Sequence, residues 1–324
     1  LIATILTIAF LILVHELGHL LAAKLAGVHV PEFSLGFGKV LAQKRMGNTN
    51  YCLRLFLLGG YVKTEDGFQD RPPLTRICVA LAGPASNLLF AFLIFSIVSF
   101  VGLPQLTAHI GQVFPGRPAA KAGLLPGDRV ISVDGRAVVK WSEMTALVTE
   151  GKGRGVTLAV KRNHETITFL VVPETLAGKV MLGIKASGEN VSTPYGLPEA
   201  VSKGVQLTGD NLKASGELFL RLIGFAPVDV IGPVQIVKVG AEQAQIGWVS
   251  LMFFVAILSA NFVTFNLLPI PVLDGGLITI ALVEMVTRRK INKKLQLLAT
   301  KISMAVVIGL MAFVFLSDLI KLAK

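Results

Sequence analysis

The sequence predicts a polytopic α-helical membrane protein: four transmembrane helices with a membrane-associated β-hairpin, plus one β-rich domain outside the bilayer. Three observations carry this expectation. Apolar runs recur at 1–26, 77–101, 248–268 and 295–319, each near the ~20 residues that cross ~30 Å of hydrocarbon. Of the 324 residues 53% are hydrophobic and the mean hydropathy is +0.68, too apolar for an ordinary soluble domain. Residues 107–188, by contrast, are charged and mixed, with strand-like alternation, and need water on one side. The net charge of +11 does not point to nucleic acid, because the basic residues border the apolar runs rather than interleaving with aromatics.

The first run contains His15, Glu16 and His19 in the string HELGH. One ionisable group at membrane depth costs roughly 2.5–3.5 kcal/mol, so three together need a compensating partner. At i and i+4 two imidazoles project from one helix face and can hold one metal ion, with the glutamate beside them as a base. The segment lacks a small-residue cleavage site and reads as a retained helix rather than a signal peptide. A catalytic zinc ion takes three protein ligands and a water, so a third donor is expected elsewhere. His29 follows the helix at a turn, and His109 and His164 lie in or at the outer domain. Asp274 is the acid at the exit of the third run. Cys52 and Cys78 have neither C-x-x-C spacing nor proximity, and read as reduced thiols.

Residues 28–76 are rich in glycine and turn formers, with strand character at 33–37 and 51–58 and a turn over Gly47, Asn48, Thr49 and Asn50. A hairpin that dips into the membrane beside the first helix, or lies on its interface, is expected. In the second run, GPASN places Pro84 to kink the helix or end a turn. Its Asn87 fits either an interhelical hydrogen bond or a role at the site.

In the outer domain, strands are expected at 156–160 and 166–172 and a helix near 142–149. Ala122, Gly123, Leu124, Gly127, Asp128 and VISVDG (130–135) resemble a PDZ domain. The Φ-G-Φ string of such a domain's carboxylate loop follows the last strand here, as Leu182, Gly183 and Ile184, which suits a circularly permuted PDZ. Over 189–247, Val201, Val205, Leu212, Phe219, Leu222 and Ile223 recur at helical spacing among Lys203, Lys213 and Arg221. They predict amphipathic linker helices on the membrane surface, broken at Gly232 and Pro233.

The third run carries Asn261 and Asn266 and ends in Pro269 and Pro271, which stop a helix, so Asp274 falls at or just after a break at membrane depth. Eight Lys and Arg lie in 24–76 and six in 288–301. By the positive-inside rule both loops are cytoplasmic, and the outer domain and both termini are outside.

HELGH, GPASN, the outer PDZ-like domain and NLLPIPVLDG (266–275) together resemble the site-2 protease family of intramembrane zinc metalloproteases. The nearest subgroup is the regulator-of-sigma-E protease (RseP-like) type, here with a single PDZ domain where the best-known Gram-negative member has two. The resemblance implies that His15, His19 and Asp274 hold Zn2+ and that Glu16 is the catalytic acid/base. It implies that Asn266 and Asn261 help to hold substrate, and that the hairpin around Gly36, Gly38, Gly59 and Gly60 presents a strand to it. It further implies a bacterial inner membrane location with the site near the cytoplasmic side. The implied substrates are spanning segments of single-pass proteins, such as anti-sigma factors or remnant signal peptides, already trimmed by another protease. Besides the lipid bilayer, the expected partner is a peptide or substrate ectodomain at the PDZ domain, and no nucleic acid. The rival reading, a non-catalytic peptide-binding receptor with structural zinc, has no need of Glu16. A metal transporter would show internal repeats, and none is visible.

Overall fold

A computed structural model of the chain describes residues 2–151, 153–176, 179–224 and 232–323. Two compact units emerge, one of Leu1–Val101 with Tyr195–Lys324 and the other of Gly102–Pro194, the latter a little wider than the expected 107–188.

The first unit opens with α1 (Ile2–Leu25), β1 (Glu32–Met46), β2 (Thr49–Lys63), a 3-10 turn (Phe68–Asp70) and α2 (Pro73–Val101). Small residues let α1 and α2 approach closely: a Cβ on Gly18 would overlap the Ala82 carbonyl, and Ser86 Oγ lies 2.9 Å from the Val14 carbonyl. Helix α2 begins at Pro73, where a missing N–H costs nothing, and it runs on through Pro84 to Val101. Pro84 therefore does not end a helical turn as one of the two expectations had it.

The hairpin is longer and more curled than expected. Its turn narrows to Gly47 and Asn48, while Thr49 and Asn50 already belong to β2. Residues 40–46 pair with 49–54, and β2 then folds back so that 32–35 lie between two parts of it. Glu32 is registered with both Asn50 and Lys63, and Leu35 with both Leu53 and Gly60. Residues 60–63 thus form the outer strand, and among the described residues nothing pairs with their far side. The curl is tied by Glu32, whose Oε1 accepts from Arg54 (2.6 Å) and Tyr61 (2.7 Å). These donors, Tyr61 foremost, hold the Glu32 carboxyl below its ordinary range.

The second unit contains β3 (Pro104–Leu106), β4 (Ile110–Val113), α3 (Pro118–Ala122), β5 (Arg129–Val133), β6 (Arg136–Ala137), α4 (Trp141–Glu150), β7 (Val156–Arg162), β8 (Glu165–Val171), β9 (Glu174–Leu176), β10 (Lys179–Met181), β11 (Ile184–Ala186) and β12 (Asn190–Ser192). A four-stranded sheet, β6-β5-β7-β8, is accompanied by the pairs β9-β10, β4-β11 and β3-β12. Alternate residues Val156, Leu158 and Val160 point into a core with Val130, Val133, Met144 and Leu124, as period-two alternation requires. Asp128, 1% exposed, accepts from Leu125 N at 2.9 Å and takes Arg162 in a two-pronged pair at 2.7 Å, so the acid of the glycine-rich string fixes a turn. A groove between α4 and the Leu182–Gly183–Ile184 loop is lined by Trp141, Met144 and Val148.

The chain returns to the first unit as α5 (Leu197–Ile223), α6 (Pro233–Ile246), α7 (Trp248–Asn266), α8 (Asp274–Thr287) and α9 (Lys293–Ala323). Among the described residues, four helices (α1, α2, α7 and α9) are long and apolar enough to cross a membrane. Helix α5 spans the first part of the expected amphipathic linker. It buries Ala200, Gly204, Thr208 and Ser215, and it leaves Val201 and Val205 exposed at 41% and 60%. In an apolar surrounding there is no gain in hiding valine, whereas a small-residue stripe lets helix backbones touch; a Cβ on Gly204 would press on Ser96 of α2. The side chains of Leu222 and Ile223 lie outside the described residues.

Pro269 and Pro271 stop the third helix, but the chain at once resumes as α8, a helix absent from the sequence-based expectation. Gly275 and Gly276 make the tight return possible, since a Cβ on either would collide with the backbone of 267–271. At the far end of α8, Glu284 accepts from Arg76 of α2 and from Ile291 N (2.9 Å), with both charged side chains 5% exposed. On the surface nearby, Lys290 and Lys293 pair with Asp70 and hold its carboxyl below the usual range.

Candidate metal centre

Helix α1 presents His15 and His19 one turn apart, and the closing turns of the 267–273 loop (Ile270 N to Leu268 O, 2.7 Å; Leu273 N to Ile270 O, 2.8 Å) bring Asp274 to meet them at the first turn of α8. His15 Nε2 lies 3.1 Å from His19 Nε2 and 3.0 Å from Asp274 Oδ2, and His19 Nε2 lies 3.3 Å from Asp274 Oδ1. Two ligands bonded at about 2.0–2.1 Å to a tetrahedral zinc sit roughly 3.3 Å apart, so the three separations suit a common ion. Despite its distance to His15, Asp274 Oδ2 is buried and makes no hydrogen bond of acceptable geometry. We read this as a lone pair aimed at a shared point rather than at the ring. Among the described residues this is the one cluster of three or more His, Cys, Asp or Glu with metal-binding spacing.

The surroundings orient these groups. His19 Nδ1 lies 2.8 Å from the Val79 carbonyl. A carbonyl can only accept, so Nδ1 carries the proton and Nε2 keeps its lone pair. Gly83 of α2 lies against both rings: a Cβ there would overlap His19 and come within 2.8 Å of His15 Cε1. Glu16, 9% exposed, faces the same cavity and packs on Gly60, whose added Cβ would stand 2.8 Å from Glu16 Cγ.

Of the expected substrate-contacting residues, Asn266 and Gly60 line the cavity with His15, Glu16, His19 and Asp274. Asn261 faces away and hydrogen-bonds Ser215 of α5. Gly36 and Gly38, with φ of 93° and 84°, make the bend around Phe56, and Gly59 lies under the Phe37 ring. Among the described residues His29, His109 and His164 are not part of the cluster; His109 pairs with Glu189, and His164 occupies the β7–β8 turn. The structure adds Tyr61 to the cavity wall, and Gly83 and the Val79 carbonyl behind the ligands. Gly83 carries a faint sequence signal as a glycine inside an apolar helix, while a backbone carbonyl carries none.

A family model described as peptidase family M50 matches residues 3–310. A protein of Nostoc sp. that bears a zinc metalloprotease name is 33% identical, over 98% of this chain and 94% of its own. A Clostridium perfringens protein named in the same way is also 33% identical, over 98% and 97%. The chloroplastic membrane metalloprotease ARASP of Arabidopsis thaliana is 32% identical, over 96% of this chain and 77% of its own. With its HELGH helix and Asp274 at one centre, the chain belongs to peptidase family M50, the site-2 protease family.

Proposed function

We propose that this protein is an intramembrane zinc endopeptidase that cleaves the spanning segments of single-pass membrane proteins. The observation that supports it most is the His15–His19–Asp274 donor set at tetrahedral spacing, with Glu16 beside it, on helices made of apolar residues. Bound zinc supplies the lowering of a water's pKa from ~15.7 toward about 7 and the polarisation of a carbonyl. Glu16 takes the proton of the attacking water and passes it to the leaving nitrogen. Its two flanking histidines keep their Nε2 atoms turned inward, and Asp274 completes the set from α8.

A helical substrate hides each peptide bond in i to i−4 hydrogen bonds and must unwind before attack. The outer strand 60–63, with its unpaired edge and with Gly60 next to Glu16, can take the unwound segment as an added strand and so replace the lost bonds. Asn266, on the cavity wall, adds an amide partner. Unit 102–194 is read as a permuted PDZ domain, whose groove by α4 takes the carboxy-terminus of an already trimmed substrate or whose bulk excludes large ectodomains. With four membrane crossings and basic loops inside, the centre lies near the cytoplasmic face.

Detergent-purified full-length chain is expected to cleave a single-span model protein within its apolar segment. Phenanthroline should stop the reaction and added zinc should restore it. Absence of cleavage by zinc-loaded protein against a panel of single-span substrates would refute the proposal.

A further inference from the structure

Asn87 of α2 is fully buried, and its carboxamide sits 3.3 Å from His15 Nδ1, the ring nitrogen that faces away from the donor cluster. Its backbone is anchored as well: Ser259 of α7, also fully buried, donates its hydroxyl to the Asn87 carbonyl at 2.8 Å. In this orientation the amide nitrogen faces the ring while Oδ1 is buried with no hydrogen-bond partner. The two ends of a carboxamide have nearly the same shape, and which end points where is decided by the hydrogen bonds it must satisfy.

His19 shows what a ligand at this centre needs, because the Val79 carbonyl receives its Nδ1–H and leaves Nε2 free. His15 uses Nε2 toward the same point, so a proton on its Nδ1 also requires an acceptor. Oδ1 of Asn87, reached by turning the amide about its last bond, is that acceptor. A neutral imidazole has one N–H, so a bond from Nδ1–H to oxygen excludes a proton on Nε2.

We propose that Asn87 is a positioning residue for the metal ligand His15, its side-chain oxygen accepting the Nδ1–H and thereby fixing the tautomer and tilt of the ring. The inference rests on the metal reading above and assigns GPASN its share in the centre: Gly83 makes room for both rings and Asn87 orients one of them.

The test uses full-length protein in detergent, with zinc affinity measured by chelator competition. Asn87→Leu, which keeps the bulk and removes the acceptor, should bind zinc about 10–100-fold more weakly, whereas Asn87→Asp, which keeps an oxygen, should stay within about threefold of wild type or bind more tightly. A merely packing role would make the two variants alike. Nitrogen-15 NMR of the zinc-loaded wild type labelled at histidine reads the tautomer without any substitution at Asn87. His15 Nδ1, identified by the signal lost in His15→Gln, should be protonated with a slowly exchanging hydrogen. Stoichiometric zinc with an unprotonated His15 Nδ1, or with Asn87→Leu binding as wild type, would overturn this inference alone. Failure of the wild type to bind zinc would overturn the metal reading, and this inference with it.

Discussion

Substituting Gly60 by alanine separates the base from the metal ligands. The new Cβ would stand 2.8 Å from Glu16 Cγ and 2.9 Å from the Ser34 carbonyl oxygen. The carbonyl cannot yield easily, because 32–35 are hydrogen-bonded on both sides. Carbon atoms rest at about 3.5 Å or more, so the Glu16 side chain must retreat by roughly 0.7 Å. Misplacing a catalytic group by about 1 Å costs on the order of 100-fold, and kcat for a single-span substrate is expected to fall about 10–100-fold. Zinc content should stay at wild-type level, since the atoms nearest the new Cβ belong to Glu16 and Ser34 and not to His15, His19 or Asp274. Gly209→Ala, where the added Cβ meets open space, is the matched control and should leave both unchanged. Wild-type kcat in Gly60→Ala, or loss of zinc together with kcat, would refute the assignment of Glu16 to its place beside the strand.

Gly83→Ala should produce the complementary defect, loss of zinc measured by atomic absorption, because the methyl group displaces the two imidazoles themselves. Arg76→Met leaves the buried Glu284 charge without its partner and should lower stability by about 3–5 kcal/mol, while Arg76→Met/Glu284→Gln recovers most of it; thermal unfolding in micelles distinguishes the two. In the outer unit, the Val139 and Lys140 N–H groups donate to Glu143 and hold its carboxyl below the ordinary 4.5. Its folded pKa is the lower one, so its contribution is present above about pH 4.5 and is lost as pH falls through the folded value. Glu143→Gln should flatten the acid side of the unfolding profile of this unit, followed by Trp141 fluorescence in a Trp248→Phe background.

The parts of this molecule legible in the sequence are those where one local pattern meets one physical demand. Two histidines at i and i+4 can only share a face, and the alternation of Val156, Leu158 and Val160 can only fill a core on one side of a sheet. Helix α8 was hidden because Pro269 and Pro271 announce an ending, and nothing before Gly275 shows that the chain turns back within a few residues. In helix α5 the periodic valines Val201 and Val205 mark the outward face, while the inward stripe of Gly204 and Thr208 consists of small residues that apolar periodicity does not reveal. Asn261 and Asn266 look equivalent in the sequence, yet five residues on a helix rotate a side chain by about 140°, which sends one to Ser215 and the other to the cavity. The curl of the hairpin depends on Glu32, Arg54 and Tyr61 meeting across sequence separations of 22 and 29, which no local pattern encodes.

In the proposed reaction Glu16 works as the proton-carrying base beside a zinc ion held by other residues. Glu16→Gln keeps the size of the side chain and removes only its basicity. Cleavage of a single-span substrate and zinc per chain, measured on the same preparation of this variant, separate the base from the ligands. One zinc per chain, as in the wild type, is expected, with cleavage lost. Cleavage at the wild-type rate would contradict this role of Glu16.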